Sequence, residues 1–207
     1  MQIDFPIFNN QYQEFCINCH AANPSKIIKD GKTFYECNNC GQISPRLIVI
    51  DPKIVWGIDP QTKEYWHESV GIFISNDQNE VLFFQRNKFP FLLTIPAGHL
   101  DVGEDSQQAI MREVKEETGL ILDKVQLFAE EDLVGDQCRR GADKHKWHLF
   151  VARVHNSYGV SVSADEGVKP VWLNFKQAEQ KDLTFPVKYF MDKFGDKLYG
   201  VQAQNKE

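Results

Sequence analysis

Short apolar runs separated by polar turn residues make up most of the chain after residue 47, and this pattern predicts a β-sheet. Residues 69–74 and 81–85 flank a polar cluster at residues 76–79, so we expect these two runs to form a hairpin. The other predicted strands cover residues 54–58, 92–95, 125–129, 147–154 and 171–173.

A helix is predicted at about residues 105–118, because its apolar positions form one stripe and both of its ends carry capping residues. Asp105 or Ser106 can cap the start, and Gly119 suits the left-handed position just after the last turn. Strands mixed with two or three helices indicate an α/β (α+β) layered domain. Two shorter helices are predicted at about residues 176–180 and 188–198.

The composition is that of an ordinary folded protein. With 42% hydrophobic residues, 15 Phe and 4 Trp among 207 residues, the chain can bury a core, which excludes a disordered protein. No apolar run approaches the roughly 20 residues that span a bilayer. Residues 1–10 do not resemble a signal peptide, so we expect a cytoplasmic protein without membrane contact. The net charge of −6 argues against a general nucleic-acid coat, which needs a basic surface.

Four of the five cysteines form two C-x2-C pairs with 17 residues between them, Cys16-Ile-Asn-Cys19 and Cys37-Asn-Asn-Cys40. Four thiolates at this spacing suit a tetrahedral, structural Zn²⁺ site. A predicted hairpin at residues 27–36 would bring the two pairs together. The alternative is two disulfides of a secreted protein, which the missing secretion signal disfavours. We therefore predict a zinc ribbon in residues 1–45 and a second domain in residues 46–207.

A zinc ribbon can also bind nucleic acid, but residues 16–46 have only a slight basic excess and no basic patch interleaved with aromatic residues. A role in folding or dimerisation is therefore favoured. The fifth cysteine, Cys138, lies outside the ribbon and is predicted to be a plain buried or partly buried thiol.

Three glutamates, Glu113, Glu116 and Glu117, recur at i, i+3 and i+4 along the predicted helix and therefore share one face. Like charges at this spacing repel each other, and a solvated acidic face is the ordinary explanation. A hard divalent cation would instead turn them into a ligand cluster, because Mg²⁺ binds carboxylates, water and substrate phosphates. Gly98 and Gly103 allow a sharp loop before the helix, which can bring backbone carbonyls near such a metal.

Residues 98–120 match the pattern G-x5-E-x7-R-E-U-x-E-E-x-G-U, in which U is aliphatic, at every defined position. The chain therefore resembles the Nudix hydrolases. The resemblance extends over about residues 47–200 and implies a Nudix-type α/β/α sandwich with a mixed sheet, preceded here by the small zinc ribbon. It also implies Mg²⁺- or Mn²⁺-dependent hydrolysis of the diphosphate linkage in a nucleoside diphosphate joined to another moiety.

The same resemblance assigns roles to residues of this motif. The metal ligands would be three glutamates and a carbonyl before the helix, namely Glu113, Glu116, Glu117 and the Ala97–Gly98 segment. Glu104 would support these ligands, and Arg112 would orient a carboxylate through a charge-assisted bond. The general base can be a glutamate of the motif or a later loop acid. Glu166 is our candidate, the alternative being a solvated loop acid.

A zinc ribbon before such a domain is similar to the NADH pyrophosphatase subfamily. That subfamily also carries a Ser-Gln-Pro-Trp-Pro-Phe-Pro type run after the motif, but residues 121–146 contain no proline. The proline typical of many ADP-ribose pyrophosphatases and the tyrosine typical of diadenosine-polyphosphate hydrolases are absent from this region too. NADH, ADP-ribose and similar dinucleotides or nucleotide sugars therefore remain open as substrates.

The region after the motif is basic instead. Arg139, Arg140 and Lys144 can contact phosphates, and Trp147 can stack on a base. The alternative is a solvated basic loop followed by a strand with an ordinary core tryptophan. Weaker candidates, more typical of core or rim positions or of structural histidines, are Trp66, His67, Phe89, Phe91, His145 and His148.

We interpret the chain as a Nudix pyrophosphohydrolase with catalytic Mg²⁺ or Mn²⁺, structural Zn²⁺ and a small nucleotide substrate. The family resemblance further implies a homodimer, and no nucleic-acid partner is expected. The alternative is a nucleotide-sensing module or regulator that uses the ribbon to contact nucleic acid or protein. A Nudix-related isomerase is a third hypothesis. The intact motif favours the hydrolase over both.

Overall fold

The computed structural model describes residues 1–155 and 159–204. Its strands are β1 Gln13–Cys16, β2 Ser25–Lys29, β3 Lys32–Glu36, β4 Ile43–Ser44, β5 Leu47–Ile50, β6 Trp56–Ile58, β7 Tyr65–Ser75, β8 Val81–Arg86, β9 Leu93–Thr94, β10 Ala97–His99, β11 Gln126–Val134, β12 Lys144–Arg153 and β13 Gly167–Leu173. Its helices are α1 Ser106–Thr118, α2 Phe175–Ala178 and α3 Phe185–Gln204.

The main sheet has eight strands, with β11, β12, β7, β8 and β13 side by side in that order. The short strands β6 and β10 pair with β7, and β9 pairs with β8. β7 and β12 run parallel, from the pair Lys144↔Trp66 to the pair Arg153↔Ser75, and the other pairings are antiparallel. The predicted mixed sheet is therefore confirmed. β7 is its central strand, because it pairs with β12, β8, β6 and β10.

Helices cover both faces of this sheet, as the predicted α/β/α sandwich requires. On one face, α1 packs Ile110 and Val114 against Val70, Ile72 and Phe150 of β7 and β12. On the other face, α2 and α3 pack against side chains of β7 and β12 that point away from α1. The buried residues of that second cluster include Phe73, Trp147, Phe175, Val187 and Phe190. Alternation along β7 and β12 thus supplies two apolar layers from one sheet.

The predicted capping of α1 is confirmed. The Asp105 side chain accepts a hydrogen bond from the Gln108 backbone N–H at 2.8 Å, and the Gln108 side chain accepts one from the Asp105 backbone N–H at 3.1 Å. This reciprocal pair is a capping box, which satisfies two backbone donors at the helix start. Gly119 closes the helix at φ 71°, the left-handed conformation expected there.

The terminal helix is longer than the predicted one, since α3 begins at Phe185 rather than near residue 188. Pro186 lies in its first turn, where a proline is tolerated because the first backbone N–H groups have no partner in the helix. Within the described residues, no helix is long and apolar enough to cross a bilayer.

The predicted ribbon hairpin is confirmed as β2 and β3, joined by a turn at Asp30 and Gly31 with φ of 50° and 72°. This hairpin contacts the main domain through the segment after β8. The backbone N–H of Thr33 donates to the carbonyl of Asn87 at 3.2 Å, and the rings of Phe34 and Phe91 lie 5.5 Å apart. The ribbon is therefore held against the loop that follows β8.

Strand β5 begins just after the predicted domain boundary near residue 45 and contacts residues on both sides of that boundary. It pairs with β1, while Ile48 and Ile50 pack with Ile3 and Tyr65 in one buried cluster. The boundary near residue 45 stays a prediction, and apolar contacts cross it.

An ion pair fixes the loop between β11 and β12 to the end of β5. Arg140 donates to the carboxylate of Asp51 at 2.8 Å, and the Asp51 side chain also accepts the backbone N–H of Lys53 at 3.0 Å. Burial alone would raise the pKa of Asp51, but the hydrogen bond and charge of Arg140 outweigh burial and hold that pKa below its ordinary value of 3.8.

We predict that Asp51→Asn destabilises the protein near neutral pH by about 1.5–3 kcal/mol, because it leaves the partly buried guanidinium of Arg140 without its counter-ion. An aspartate whose pKa is depressed by folding stabilises the protein above its unfolded-state pKa and loses that contribution as the pH falls through its folded-state pKa. The stability difference should therefore disappear in acid below pH 3.8.

The measurement is urea unfolding of both proteins at a series of pH values. Asp192→Asn, at an exposed position of α3, serves as the matched control and should show no pH-dependent difference. A deficit in Asp51→Asn that stays constant down to acid pH would contradict the role of the ion pair.

Candidate active site

A cleft of about 330 Å³ lies beside α1. One wall consists of α1 and β10, and the facing wall is the loop between β11 and β12. Arg86 at the end of β8 and residues 88–90 just after it close a third side. The cleft therefore lies where the predicted acidic helix face meets the predicted basic loop.

The carboxylate of Glu113 lies directly against the α-carbon of Gly98. A Cβ atom added at Gly98 would collide with the Glu113 carboxylate, so only glycine allows this contact. One turn further along α1, Glu117 accepts a hydrogen bond from the backbone N–H of Ala97 at 2.9 Å. The structure thus brings together the Ala97–Gly98 segment and two of the three predicted ligand glutamates.

These glutamates are held away from solvent. Glu117 is 4% exposed, and burial together with the nearby charge of Glu113 raises its pKa well above the ordinary value. Burial also raises the pKa of Glu113. Glu116 differs, since 61% of its side chain is exposed at the mouth of the cleft.

Arg112 links four groups around this cluster. Its guanidinium donates to Glu104 at 2.9 Å, to Glu113 at 2.7 Å and to the carbonyl of His99 at 3.2 Å. A weaker contact reaches Glu116 at 3.4 Å. The hydrogen bond to Glu104 is the largest of the effects that raise the pKa of Arg112. This is the arrangement of a residue that orients carboxylates, with Glu104 behind it.

The cluster has the properties of a site for a hard divalent cation. Converging carboxylates with raised pKa values bind protons when no cation compensates them, and a cation removes that cost. The bare α-carbon of Gly98 leaves room in which the Glu113 carboxylate lies, and carboxylates are the ligands that Mg²⁺ and Mn²⁺ prefer. The residues present therefore fit such an ion.

Glu166 also lines the cleft, and its charge adds to the burial that raises the pKa values of Glu113 and Glu117. It forms a salt bridge with Lys88 at 2.5 Å. Arg86 lines the same wall, and within the described part of the chain its buried Nε atom has no hydrogen-bond partner. The sequence analysis missed Arg86, the last residue of β8, and Lys88, which follows it, because only the pairing of β8 with β13 brings them to the cleft.

Three of the four predicted substrate-binding residues line the cleft. Arg139, Arg140 and Trp147 line the cleft, and Arg139 donates to the hydroxyl of Tyr35 in the ribbon at 2.6 Å. Trp147 is 7% exposed and its indole N–H donates to Asp136 at 2.7 Å, so it packs mainly in the core. Lys144 does not line the cleft and lies 3.5 Å from Asp132.

The weaker candidates have different positions. Phe89 lines the cleft beneath the guanidinium of Arg46, whereas Trp66 packs under Lys146 at 4.0 Å. Phe91 contacts the ribbon, as described above. His148 lies 2.7 Å from Glu68 and does not line the cleft, which is the structural role expected of it.

His67, His145 and Cys138 come together with a residue that the sequence analysis did not single out, His99. His99, Cys138 and His145 line the cleft, whereas His67 lies behind them. Burial lowers the pKa of His67, and it lowers the pKa of His99 to about 3. Cys138 is partly buried, as predicted, but it lies among three imidazoles rather than in a plain apolar environment.

The four ribbon cysteines converge on one point. The Sγ atoms of Cys16 and Cys40 lie 3.8 Å apart, and those of Cys19 and Cys37 lie 3.5 Å apart. Sulfur atoms about 2.3 Å from a tetrahedral zinc ion would be separated by about 3.8 Å. The cluster is therefore compatible with zinc.

Comparison with known proteins agrees with this geometry. The NUDIX domain family profile matches residues 65–194, which is more than half of the chain. The chain is 37% identical over 70 residues to an RNA pyrophosphohydrolase of Acinetobacter baylyi, covering 32% of this chain and 40% of that protein. It is 38% identical over 60 residues to an ADP-ribose pyrophosphatase of Methanocaldococcus jannaschii, covering 28% and 36%.

The fold has solved counterparts. The NUDIX domain of Shewanella oneidensis NrtR, determined with ADP ribose, superposes with a TM-score of 0.56 at 19% identity and covers 69% of this chain and 94% of that one. That similarity concerns the fold. The match spans less than half the length of each of these two curated relatives.

We predict that Gly98→Ala weakens Mn²⁺ binding about 10–100-fold, because the new methyl group displaces the Glu113 carboxylate from the α-carbon. Calorimetric titration of Mn²⁺ into the 207-residue protein measures this affinity. Gly195→Ala in α3 is the matched control, since a Cβ there meets no atom within 4 Å. Equal affinities in Gly98→Ala and the parent protein would show that this contact does not shape the cation site.

Proposed function

Because the chain belongs to the NUDIX domain family, we propose that it hydrolyses the diphosphate linkage of a small nucleotide compound with the help of Mg²⁺ or Mn²⁺. The observation that carries the proposal is the buried pair Glu113 and Glu117, held against Gly98 and Ala97 in the α1 wall of a cleft whose facing wall is cationic. A divalent cation would offset the negative charge of the α1 wall, and a diphosphate would offset the positive charge of the facing wall.

The cation would be held by Glu113, Glu116, Glu117 and the backbone of the Ala97–Gly98 segment. Its chemistry consists of neutralising phosphate charge and lowering the pKa of a coordinated water. Arg112 keeps two of the carboxylates oriented through its bonds to Glu113 and Glu116, and Glu104 holds Arg112 in turn.

Glu166 is the proposed general base. It lines the same cleft, and a carboxylate there can accept the proton of an attacking water. Its salt bridge to Lys88 fixes its position and also brings a cation to the wall where phosphates would lie. Arg86 and Arg139 are the other proposed phosphate contacts, Arg86 because its buried Nε lacks a partner.

The proposed substrate class is a nucleoside diphosphate joined to another moiety, such as NADH, ADP-ribose or a related dinucleotide or nucleotide sugar. The names of the two matched relatives, an RNA pyrophosphohydrolase and an ADP-ribose pyrophosphatase, share a diphosphate-cleaving activity but differ in the group attached. A cleft of about 330 Å³ suits a small molecule rather than a folded macromolecule.

The ribbon is proposed to be a structural zinc module that supports the cleft. Tyr35 of β3 holds Arg139, and the hairpin packs on the segment that carries Lys88 and Phe89. A homodimer stays a prediction from the family resemblance, and light scattering of the purified protein tests it.

The decisive experiment is a substrate panel with Mg²⁺ and with Mn²⁺. The panel includes NADH, NAD, ADP-ribose, diadenosine polyphosphates, FAD, nucleotide sugars and oxidised dNTPs, and product identification in ¹⁸O-labelled water shows which phosphorus is attacked. We expect turnover of at least one compound that contains a diphosphate linkage, and none without a divalent cation.

Glu117→Gln should lower kcat about 100-fold or more, because it removes a charge from the cation site while keeping an oxygen that can accept the Ala97 N–H. Glu179→Gln, at an exposed position beside α2, is the matched control and should retain parent activity. Full activity in both Glu116→Gln and Glu117→Gln would refute the assignment of the site. Binding of nucleotides without turnover of any would favour the nucleotide-sensing alternative.

A further inference from the structure

Three histidines and one cysteine meet beneath the cleft, outside the carboxylate cluster. One nitrogen from each of His67, His99 and His145 and the sulfur of Cys138 all lie within 4.8 Å of one another. We propose that these four side chains bind a second transition-metal ion, with Zn²⁺ as the ion that their chemistry fits best.

The spacing of the ligand atoms supports a tetrahedral ion. Nδ1 of His67 lies 3.1 Å from Nε2 of His99 and 3.6 Å from Sγ of Cys138. In a tetrahedral zinc site with Zn–N of about 2.0–2.1 Å and Zn–S of about 2.3 Å, two nitrogens are about 3.3 Å apart and a nitrogen and a sulfur are about 3.6 Å apart. The side chains need little movement to reach these values.

His145 has the supporting contact that metal-binding histidines usually have. Its Nδ1 lies 3.0 Å from the carbonyl and 3.1 Å from the carboxylate of Asp136, which leaves Nε2 for the metal. Asp136 is itself 5% exposed and is fixed by the indole N–H of Trp147 at 2.7 Å. A buried carboxylate that holds the far nitrogen of an imidazole fixes the orientation of the ring and strengthens it as a ligand.

The buried ring of His67 has few polar contacts within the cluster. It is fully buried and its Nδ1 contacts His99 and Cys138, while its Nε2 has no hydrogen-bond partner among the residues that the structure describes. Burying a polar ring with so few partners is costly, and coordination of Nδ1 to a metal would offset that cost.

The donor set indicates the kind of ion and its role. Three imidazole nitrogens and one thiolate are soft or intermediate ligands that suit Zn²⁺ and do not suit Mg²⁺. Four protein ligands complete a tetrahedral shell and leave no position for substrate, which is typical of a structural site. This ion would therefore be distinct in chemistry and role from the cation held by α1.

The four ligands come from four segments that define the cleft. His67 lies on β7, His99 on β10, His145 on β12 and Cys138 on the loop before Arg139 and Arg140. The carbonyl of His99 accepts a hydrogen bond from Arg112 at 3.2 Å. A bound ion would thus hold the carboxylate wall and the basic wall of the cleft at a fixed separation.

The test is the zinc content of the purified 207-residue protein, measured by mass spectrometry after equilibration with Zn²⁺ and a weak chelator. We expect Cys138→Ala and His67→Ala each to lose one equivalent of zinc relative to the parent protein. His148→Ala is the matched control from the same strand as His145, and it should lose none. Because the readout is metal content, it succeeds or fails independently of the proposed hydrolase activity.

A second measurement covers the case in which these variants fail to fold. The double variant Cys37→Ala/Cys40→Ala removes one thiol pair of the ribbon site but leaves the four ligands intact, so Co²⁺ added to it should give the visible absorption of a tetrahedral site with a weak charge-transfer band from a single thiolate. An unchanged zinc content in folded Cys138→Ala would overturn the proposal. So would a Cys37→Ala/Cys40→Ala protein that gives no tetrahedral Co²⁺ spectrum, and in that case the cluster would be a hydrogen-bonded thiolate–imidazolium group.

Discussion

The close approach of the Glu113 carboxylate to the α-carbon of Gly98 is the contact on which the rest of the cleft depends. It lets α1 lie against β10 closely enough for Glu117, one turn further on, to accept the N–H of Ala97. The apolar side of α1 makes this approach possible, because Ile110 and Val114 are fully buried against the sheet. One helix therefore uses its apolar stripe for docking and its acidic stripe for ligands, and a side chain at position 98 would displace the Glu113 carboxylate from its contact with β10.

The features that the sequence predicted correctly are those set by residues close together in the chain. The caps of α1, the ribbon hairpin and the convergence of two C-x2-C pairs each follow from spacings within one turn or one hairpin. The carboxylate cluster could be anticipated for the same reason, since Glu113 and Glu117 share a face wherever a helix forms. The layered sandwich followed from the order of these local elements and from the family resemblance.

The features that the sequence did not reveal depend on pairing between distant strands. His67 and His145 are direct partners in the parallel β7–β12 register, although β8 to β11 and α1 all lie between them in the chain. Neither histidine stands in a recognisable metal-binding spacing, so each looked like an isolated structural residue. Arg86 and Lys88 were missed for a similar reason, because only the pairing of β8 with β13 brings them opposite Glu166.

Ligand chemistry separates the two metal sites proposed for this cleft. The α1 cluster offers carboxylate oxygens and suits a hard ion that remains partly hydrated, whereas the buried cluster offers nitrogen and sulfur and suits an ion that gives up its water. Arg112 connects the two, since it donates both to Glu113 and to the carbonyl of His99. A shift of β10 by one residue would turn His99 away from the imidazoles and would also move Gly98 from beneath Glu113, because successive strand residues point to opposite faces. Both sites thus require the same register between β10 and β7, and an ion at either one would stabilise the geometry that the other needs.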